Sequence, residues 1–261
     1  MENAGTGIAE IRETYPQRQR KKFSISSAGK NYCSRGEDGS LQFRSIPELK
    51  LIFTLPAHKK SVTAVEFNIR GDIFVSGSKD GKLIIWDWKV KKQRYVIEFE
   101  SAVADLNIHP QREEIAVGTA DGSFETWSLE KGEQLHNINK FESAVTHVAF
   151  DNNGQRIISA LENGSVHIWE YGASLHLKTL SGHERTVESL DFSADSKFLL
   201  SSASDKSVRL WDMQSKETPE KFEMGNHRVQ AVRFDIDSQK FATAGTDSSI
   251  IIWNAKIGRA A

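Results

Sequence analysis

The chain has 261 residues and a formal net charge of −1, from 34 Lys and Arg against 35 Asp and Glu. That balance argues against a dedicated nucleic-acid or membrane-surface role, and the length allows a large buried core. One cysteine, Cys33, excludes an internal disulfide and suits a reducing compartment, and no apolar run approaches the ~18 residues of a membrane span.

The N-terminus is polar and lacks the apolar core of a signal peptide, so a cytoplasmic or nuclear protein is expected. Residues 7–13 precede the first repeat and read as a lone strand. The first unit starts near Pro16 and carries a weak apolar frame, Arg20, Phe23 and Ile25. The same frame then recurs in register. It reads Val62, Val65, Phe67; then Val103, Leu106, Ile108; then Val145, Val148, Phe150; then Val187, Leu190, Phe192; then Val229, Val232, Phe234. Turn signals follow at Asp38-Gly39, Asp80-Gly81, Asp121-Gly122 and Asn163-Gly164. A further strand is expected after the Trp position of each unit, for example at 49–55, 94–100 and 175–180.

Five tryptophans set the period: Trp86, Trp127, Trp169, Trp211 and Trp253, spaced 41, 42, 42 and 42 residues apart. Six residues before each stands Asp80, Asp121, Asn163, Asp205 or Asp247. Ten before stands Ser76, Val117, Ser159, Ser201 or Thr243. Stepping back one period from Trp86 gives Ser34, Asp38 and Arg44, so the first unit keeps the frame without its Trp. Four short strands per ~42 residues make one blade of a β-propeller, and a blade cannot bury its own faces alone.

With these residues in place the chain resembles the WD-repeat family over essentially its whole length. Gly182-His183, with the variants Ala57-His58 and Asn226-His227, matches the Gly-His element. Trp86-Asp87 and Trp211-Asp212 match the terminal Trp-Asp, from which Trp127-Ser128, Trp169-Glu170 and Trp253-Asn254 depart. The resemblance implies an all-β fold of six four-stranded blades in one domain, 1–261, with blades near 15–55, 56–98, 99–140, 141–181, 182–224 and 225–261. Residues 7–13 are expected to pair with the Trp253 strand and close the ring. The alternative is an open ring completed by a partner's blade, as in one vesicle-coat subunit.

The resemblance also implies buried hydrogen-bonded chains inside blades: His58, Ser76, Asp80, Trp86; His183, Ser201, Asp205, Trp211; and His227, Thr243, Asp247, Trp253. A buried carboxylate is costly unless satisfied, and an imidazole N–H and a hydroxyl can satisfy it. Blades three and four lack the His, and blade three has Val117 at the hydroxyl position. Those two are expected to rely on apolar packing.

Ser201, Asp205 and His183 include the residue types of a hydrolase triad, but the set recurs in other blades and no Gly-x-Ser-x-Gly elbow accompanies it. His147 and His167 lack a third ligand at metal spacing. Cys33 reads as a buried small hydrophobe. No phosphate loop occurs. Two basic clusters, Arg18, Arg20, Lys21, Lys22 and Lys89, Lys91, Lys92, Arg94, lack the aromatic interleaving of a single-strand nucleic-acid binder. Trp86-Asp87-Trp88-Lys89 loosely resembles the box of cullin–RING substrate receptors, with Lys in place of Arg.

The expectation is therefore a non-enzymatic WD-repeat scaffold without cofactor or metal, whose partners are proteins or peptides rather than nucleic acid or a small-molecule substrate. A ubiquitin-ligase substrate receptor and an RNA-associated subunit of a ribonucleoprotein are the other readings. The candidate partner-binding rim is Glu37, Lys59, Lys60, Lys79, Glu142, Glu162, Glu184, Arg185 and Arg228, on loops that enter the blades or precede the buried Asp.

Overall fold

The computed structural model describes residues 10–11, 23–25, 31–46, 48, 50–215, 217–225 and 227–255. The described residues form strands and turns with no helix, in six antiparallel sheets of four strands. β1 (Glu10–Ile11) comes first in the chain. Sheet one holds β2 (Phe23–Ile25), β3 (Asn31–Arg35), β4 (Ser40–Ser45) and β5 (Leu51–Pro56). Sheet two holds β6 (Val62–Phe67), β7 (Ile73–Ser78), β8 (Lys82–Asp87) and β9 (Lys92–Glu98). Sheet three holds β10 (Val103–Ile108), β11 (Glu114–Thr119), β12 (Ser123–Ser128) and β13 (Gln134–Lys140). Sheet four holds β14 (Val145–Phe150), β15 (Arg156–Leu161), β16 (Val166–Glu170) and β17 (Leu175–Leu180). Sheet five holds β18 (Val187–Phe192), β19 (Phe198–Ala203), β20 (Ser207–Asp212) and β21 (Glu220–Glu223). Sheet six holds β22 (Val229–Phe234), β23 (Lys240–Gly245) and β24 (Ile250–Asn254), with β1 as its fourth strand.

Each sheet is one repeat, a blade. The apolar frame sits on the first strand, at positions one, four and six. A period of two would put position one on the opposite face from the other two. A β-bulge corrects this in every fully paired case, between Val62 and Ala64, Val103 and Asp105, Val145 and His147, Val187 and Ser189, and Val229 and Ala231. The extra residue is absorbed and all three apolar side chains face one way. The second strands of blades two to five are buried along almost their whole length, which is why they read as continuous apolar and small residues, whereas β23 of blade six is half open.

Packing divides the molecule into two compact units, one of blades one to four and one of blades five and six with β1. In the first unit a core lies between each pair of consecutive blades. Phe43, Phe67, Phe74 and Trp86 fill the first, Val75, Ile85, Val103 and Ile115 the second, and Phe124, Val148, Ile157 and Trp169 the third. In the second unit Leu200, Leu210, Val229 and Phe241 do the same between blades five and six. There β1 runs antiparallel to β24, with Glu10 opposite Ile251 and Ile11 opposite Ile250. This is the pairing expected of residues 7–13, whose other members lie outside the described residues.

Two outer strands are displaced from their expected positions: β5 begins at Leu51 and β9 ends at Glu98. In both, exposed residues dominate, so their sequences carry little alternation to fix a boundary. Cys33 is fully buried on β3, and burial pushes its thiol pKa up, so it is an unreactive packing residue.

Buried polar chains and an exposed loop belt

In blade two the β7–β8 hairpin and His58, on the loop before β6, carry the predicted set. His58 Nδ1 lies 3.2 Å from both Asp80 carboxylate oxygens, and its Nε2 lies 2.7 Å from Ser76 Oγ. Trp86 Nε1–H donates to the same Oγ at 2.9 Å. The partners fix the proton positions: Nδ1–H donates to Asp80, and the Ser76 O–H donates to Nε2 while its oxygen accepts from the indole. Burial alone would raise the Asp80 pKa. The Lys59 backbone N–H at 2.9 Å and the histidine outweigh it and hold the carboxyl below its usual range. Burial lowers the His58 pKa, against the pull of Asp80.

Blade five repeats the geometry. His183 lies 2.9 Å from Asp205 and 2.7 Å from Ser201 Oγ, and Trp211 Nε1–H donates to that Oγ at 2.7 Å. Burial again opposes ionisation of Asp205, but His183 and the Ser207 hydroxyl hold its pKa well below the usual range. The Ser–His–Asp order matches that of a hydrolase, yet Ser201 is fully buried and its oxygen is occupied by an indole N–H. A nucleophile needs an open approach to a substrate carbon, and this hydroxyl has none.

Blade six departs from the expected chain. Trp253 Nε1–H donates to Thr243 Oγ1 at 3.0 Å, but the Thr243 hydroxyl turns to the Ile251 carbonyl at 3.5 Å. His227 is half exposed, with its Nε2 3.7 Å from Asp247. The expectation that His227 completes the chain is corrected. His227 stands 26 residues before Trp253, whereas His58 and His183 stand 28 before their Trp, so it is two residues out of register with the hydroxyl and is left in solvent.

Blade three corrects the expectation of purely apolar packing. Phe99 and Val117 occupy the His and hydroxyl positions. A replacement polar set forms around them. Trp127 Nε1–H donates to Glu125 at 3.1 Å, Thr119 Oγ1 to Asp121 at 2.5 Å, and the Lys140 ammonium pairs with Asp121. Burial opposes it, yet Lys140 and Thr119 hold the Asp121 pKa down at about 2. In blade four the polar chain runs elsewhere: Ser165 Oγ donates to Asn163 at 2.8 Å and lies 3.0 Å from His167, and the Trp169 position is left out of it. Phe141 occupies the His position, and the buried Ser159 Oγ and Trp169 Nε1 find no hydrogen-bond partner among the described residues.

A second polar series was not anticipated. It joins first strands of consecutive blades. Glu66 accepts from Ile108 N–H at 2.9 Å, Asn107 from Phe150 N–H at 2.7 Å, and Asp191 from Phe234 N–H at 2.6 Å. Each acceptor sits between the second and third apolar members of the frame. Burial pushes the Glu66 carboxyl up to about 8, and nearby Asp105 adds to the rise. The recurrence of polar residues at this position was visible in the sequence, but Ala149 interrupts it. His147 joins the same layer through Asp105 at 2.9 Å, and His167 meets Ser165 and Thr179. Among the described residues no group of three or more His, Cys, Asp or Glu is placed to hold a metal ion.

Of the basic clusters, Arg18, Arg20, Lys21 and Lys22 lie outside the described residues. Lys89, Lys91, Lys92 and Arg94 surround the β8–β9 turn, where Arg94 pairs with Asp87 at 2.7 Å and Lys91 covers the Trp88 ring at 4.3 Å.

The nine rim residues are all exposed. In the first unit their loops form an unbroken belt of backbone hydrogen bonds. His58 N–H donates to Gly39 O, Lys79 to Ser61 O, Phe99 to Gly81 O, Ala120 to Ala102 O, Phe141 to Gly122 O, and Glu162 to Ala144 O. Glycine is required at these turns: a Cβ on Gly39 (φ +84°) would lie 2.1 Å from His58 O. In the second unit, Glu184 N–H donates to Asp205, and Thr246 N–H to Arg228 O.

The family model described as WD domain, G-beta repeat matches residues 49–87, 132–170, 175–212 and 220–254, together more than half of the chain. The chain belongs to the WD-repeat family. Among relatives of this WD-repeat chain, the periodic tryptophan protein 2 homolog of Schizosaccharomyces pombe is 29% identical over 133 residues, 48% of this chain and 15% of that protein. The target of rapamycin complex subunit wat1 of the same organism is 28% identical over 87 residues, 33% of this chain and 28% of that protein. The small ribosomal subunit protein RACK1y of Oryza sativa subsp. japonica is 28% identical over 109 residues, 42% of this chain and 32% of that protein. The matched stretches thus span less than a third of the length of each of these WD-repeat relatives.

Proposed function

We propose that this WD-repeat chain is a non-enzymatic scaffold that holds other proteins together within a larger assembly, in the cytoplasm or nucleus. The observation that carries this reading is the division of its polar chemistry. The His, Ser, Asp and Trp groups with catalytic residue types are consumed inside blades two and five, whereas the charged loop residues are left exposed on a rigid belt. Function on loops held by a rigid frame is the expected division of labour. Two relatives are, by name, a complex subunit and a ribosomal subunit protein, which supports membership of an assembly.

Affinity capture of the tagged protein from native cells, followed by size-exclusion chromatography and mass spectrometry, tests the scaffold reading. The expected result is a defined set of proteins that co-elutes with the chain. Elution at its own mass alone overturns it. RNA recovered with a steep salt dependence would replace it with a ribonucleoprotein role.

A further inference from the structure

The belt of the first unit carries charge in blocks. Lys59, Lys60 and Lys79 converge at blade two, since Lys79 N–H bonds Ser61 O and the Ser78 hydroxyl bonds Lys60 O and Ser61 O. None of the three lysines has a salt bridge among the described residues. The blade-three stretch of Ser101, Ala102 and Ala120 is uncharged, and Glu142 and Glu162 follow at blade four, again unpaired among the described residues. Beside the uncharged stretch a groove of about 270 Å³ opens between the outer end of blade two and blade three. Its walls include Glu98, Glu100, Asp121 and Glu125, together with Phe99 and Trp127. Lys82 neutralises Glu98 and Lys140 neutralises Asp121, which leaves the groove with excess negative charge.

We propose that this belt binds an extended partner segment of divided charge, with acidic side chains over Lys59, Lys60 and Lys79 and a lysine or arginine entering the groove beside Glu100 and Glu125. The assignment rests on the scaffold reading and names the partner chemistry for it. Charge complementarity selects the occupant: an all-acidic segment meets repulsion at Glu100, Glu142 and Glu162, and an all-basic one meets it at the lysines. The Phe99 and Trp127 rings give the stem of a long cationic side chain an apolar wall while its head stays near carboxylates. Packed sheets lie roughly 10 Å apart, so blades two to four span about six or seven extended residues. The acidic and basic blocks of the partner therefore lie close together in its sequence.

Fluorescence anisotropy with labelled synthetic peptides tests this. One probe carries a glutamate block, a short Gly-Ser spacer and a lysine block, a second has the blocks in reverse order, and a third has the same composition with alternating charge. One of the two block peptides is expected to bind about tenfold more tightly than the alternating one, the worth of a few exposed ion pairs together, and to lose that advantage at high salt. Lys59→Glu with Lys60→Glu, and separately Glu100→Gln, should each remove the preference; all three positions are exposed, and an unchanged melting temperature confirms that the variants fold. Equal binding of block and alternating peptides, or variants that bind the block peptide as the parent does, overturns the proposal. Capture from native cells separates the two levels. Partners retained in full by the charge variants leave the scaffold reading standing and sink this assignment, whereas no partner even for the parent protein removes both.

Discussion

The Ser201 hydroxyl serves two buried neighbours at once, accepting from the Trp211 indole and donating to His183. Ser201→Ala leaves an orphan donor and an orphan acceptor, so urea unfolding should show a loss of about 2–3 kcal/mol. Ser159 occupies the same position in blade four but has no partner among the described residues, and Ser159→Ala should cost less than about 1 kcal/mol. Equal losses at the two sites would refute the role given to the buried chain. Residues of this chain were legible because Ser76, Asp80 and Trp86 and their equivalents repeat at one period. Glu66 and Asn107 were not, because their acceptor role exists only once neighbouring first strands are packed side by side. His227 was misread because it stands 26 residues before Trp253, not the 28 that separate His58 from Trp86 and His183 from Trp211, so Gly225 holds the histidine position in blade six.

At the level of elements, the hairpins were readable from their turns, while the outer strands were not. Blades one to four mark the turn with Gly; blades five and six form it with Lys206 (φ 69°) and Ser248 (φ 65°), so the turn signal weakens where the geometry does not. The first strand's frame was readable, yet its odd spacing made sense only through the bulge. β1 is the element with a direct test. Without it β24 becomes an unpaired edge. Deleting residues 1–14 should lower the melting temperature by roughly 4–8 °C, the equivalent of about 2 kcal/mol in a chain of this size. A melt identical to the parent's by calorimetry would remove β1 as a contributor.

For the molecule as a whole, the ionisable groups pull stability in opposite directions with pH. Asp80 and Asp205 have lowered pKa values in the fold, so their contribution is present above the ordinary carboxylate range and is lost as pH falls through their folded values. His58, lowered by burial, favours the neutral ring; stability declines as pH falls below about 6.5, where the unfolded histidine takes up its proton. Glu66 acts the other way. Raised to about 8, it binds its proton more tightly when folded, so its effect is to reduce stability as pH rises from about 4.5 towards 8. Glu66→Gln mimics the protonated acid and should flatten the alkaline limb, by roughly 3–4 kcal/mol between pH 5 and pH 8. Parallel melting-temperature profiles for parent and variant across that interval would show that Glu66 does not titrate there.

The antiparallel pairing of β1 with β24 also has a mechanical consequence. The chain enters β1 and leaves β24 at the same end of the sheet, because Glu10 lies opposite Ile251 and Ile11 opposite Ile250. Tension applied between the two flanking segments therefore loads these contacts one after another, as a zipper, and not together in shear. A tether that pulls on both flanks peels β1 away at low force, whereas opposed pulls along the strand axes of a blade shear its ladder bonds together. If this chain sits in an assembly under load, the β1 seam is where it yields first.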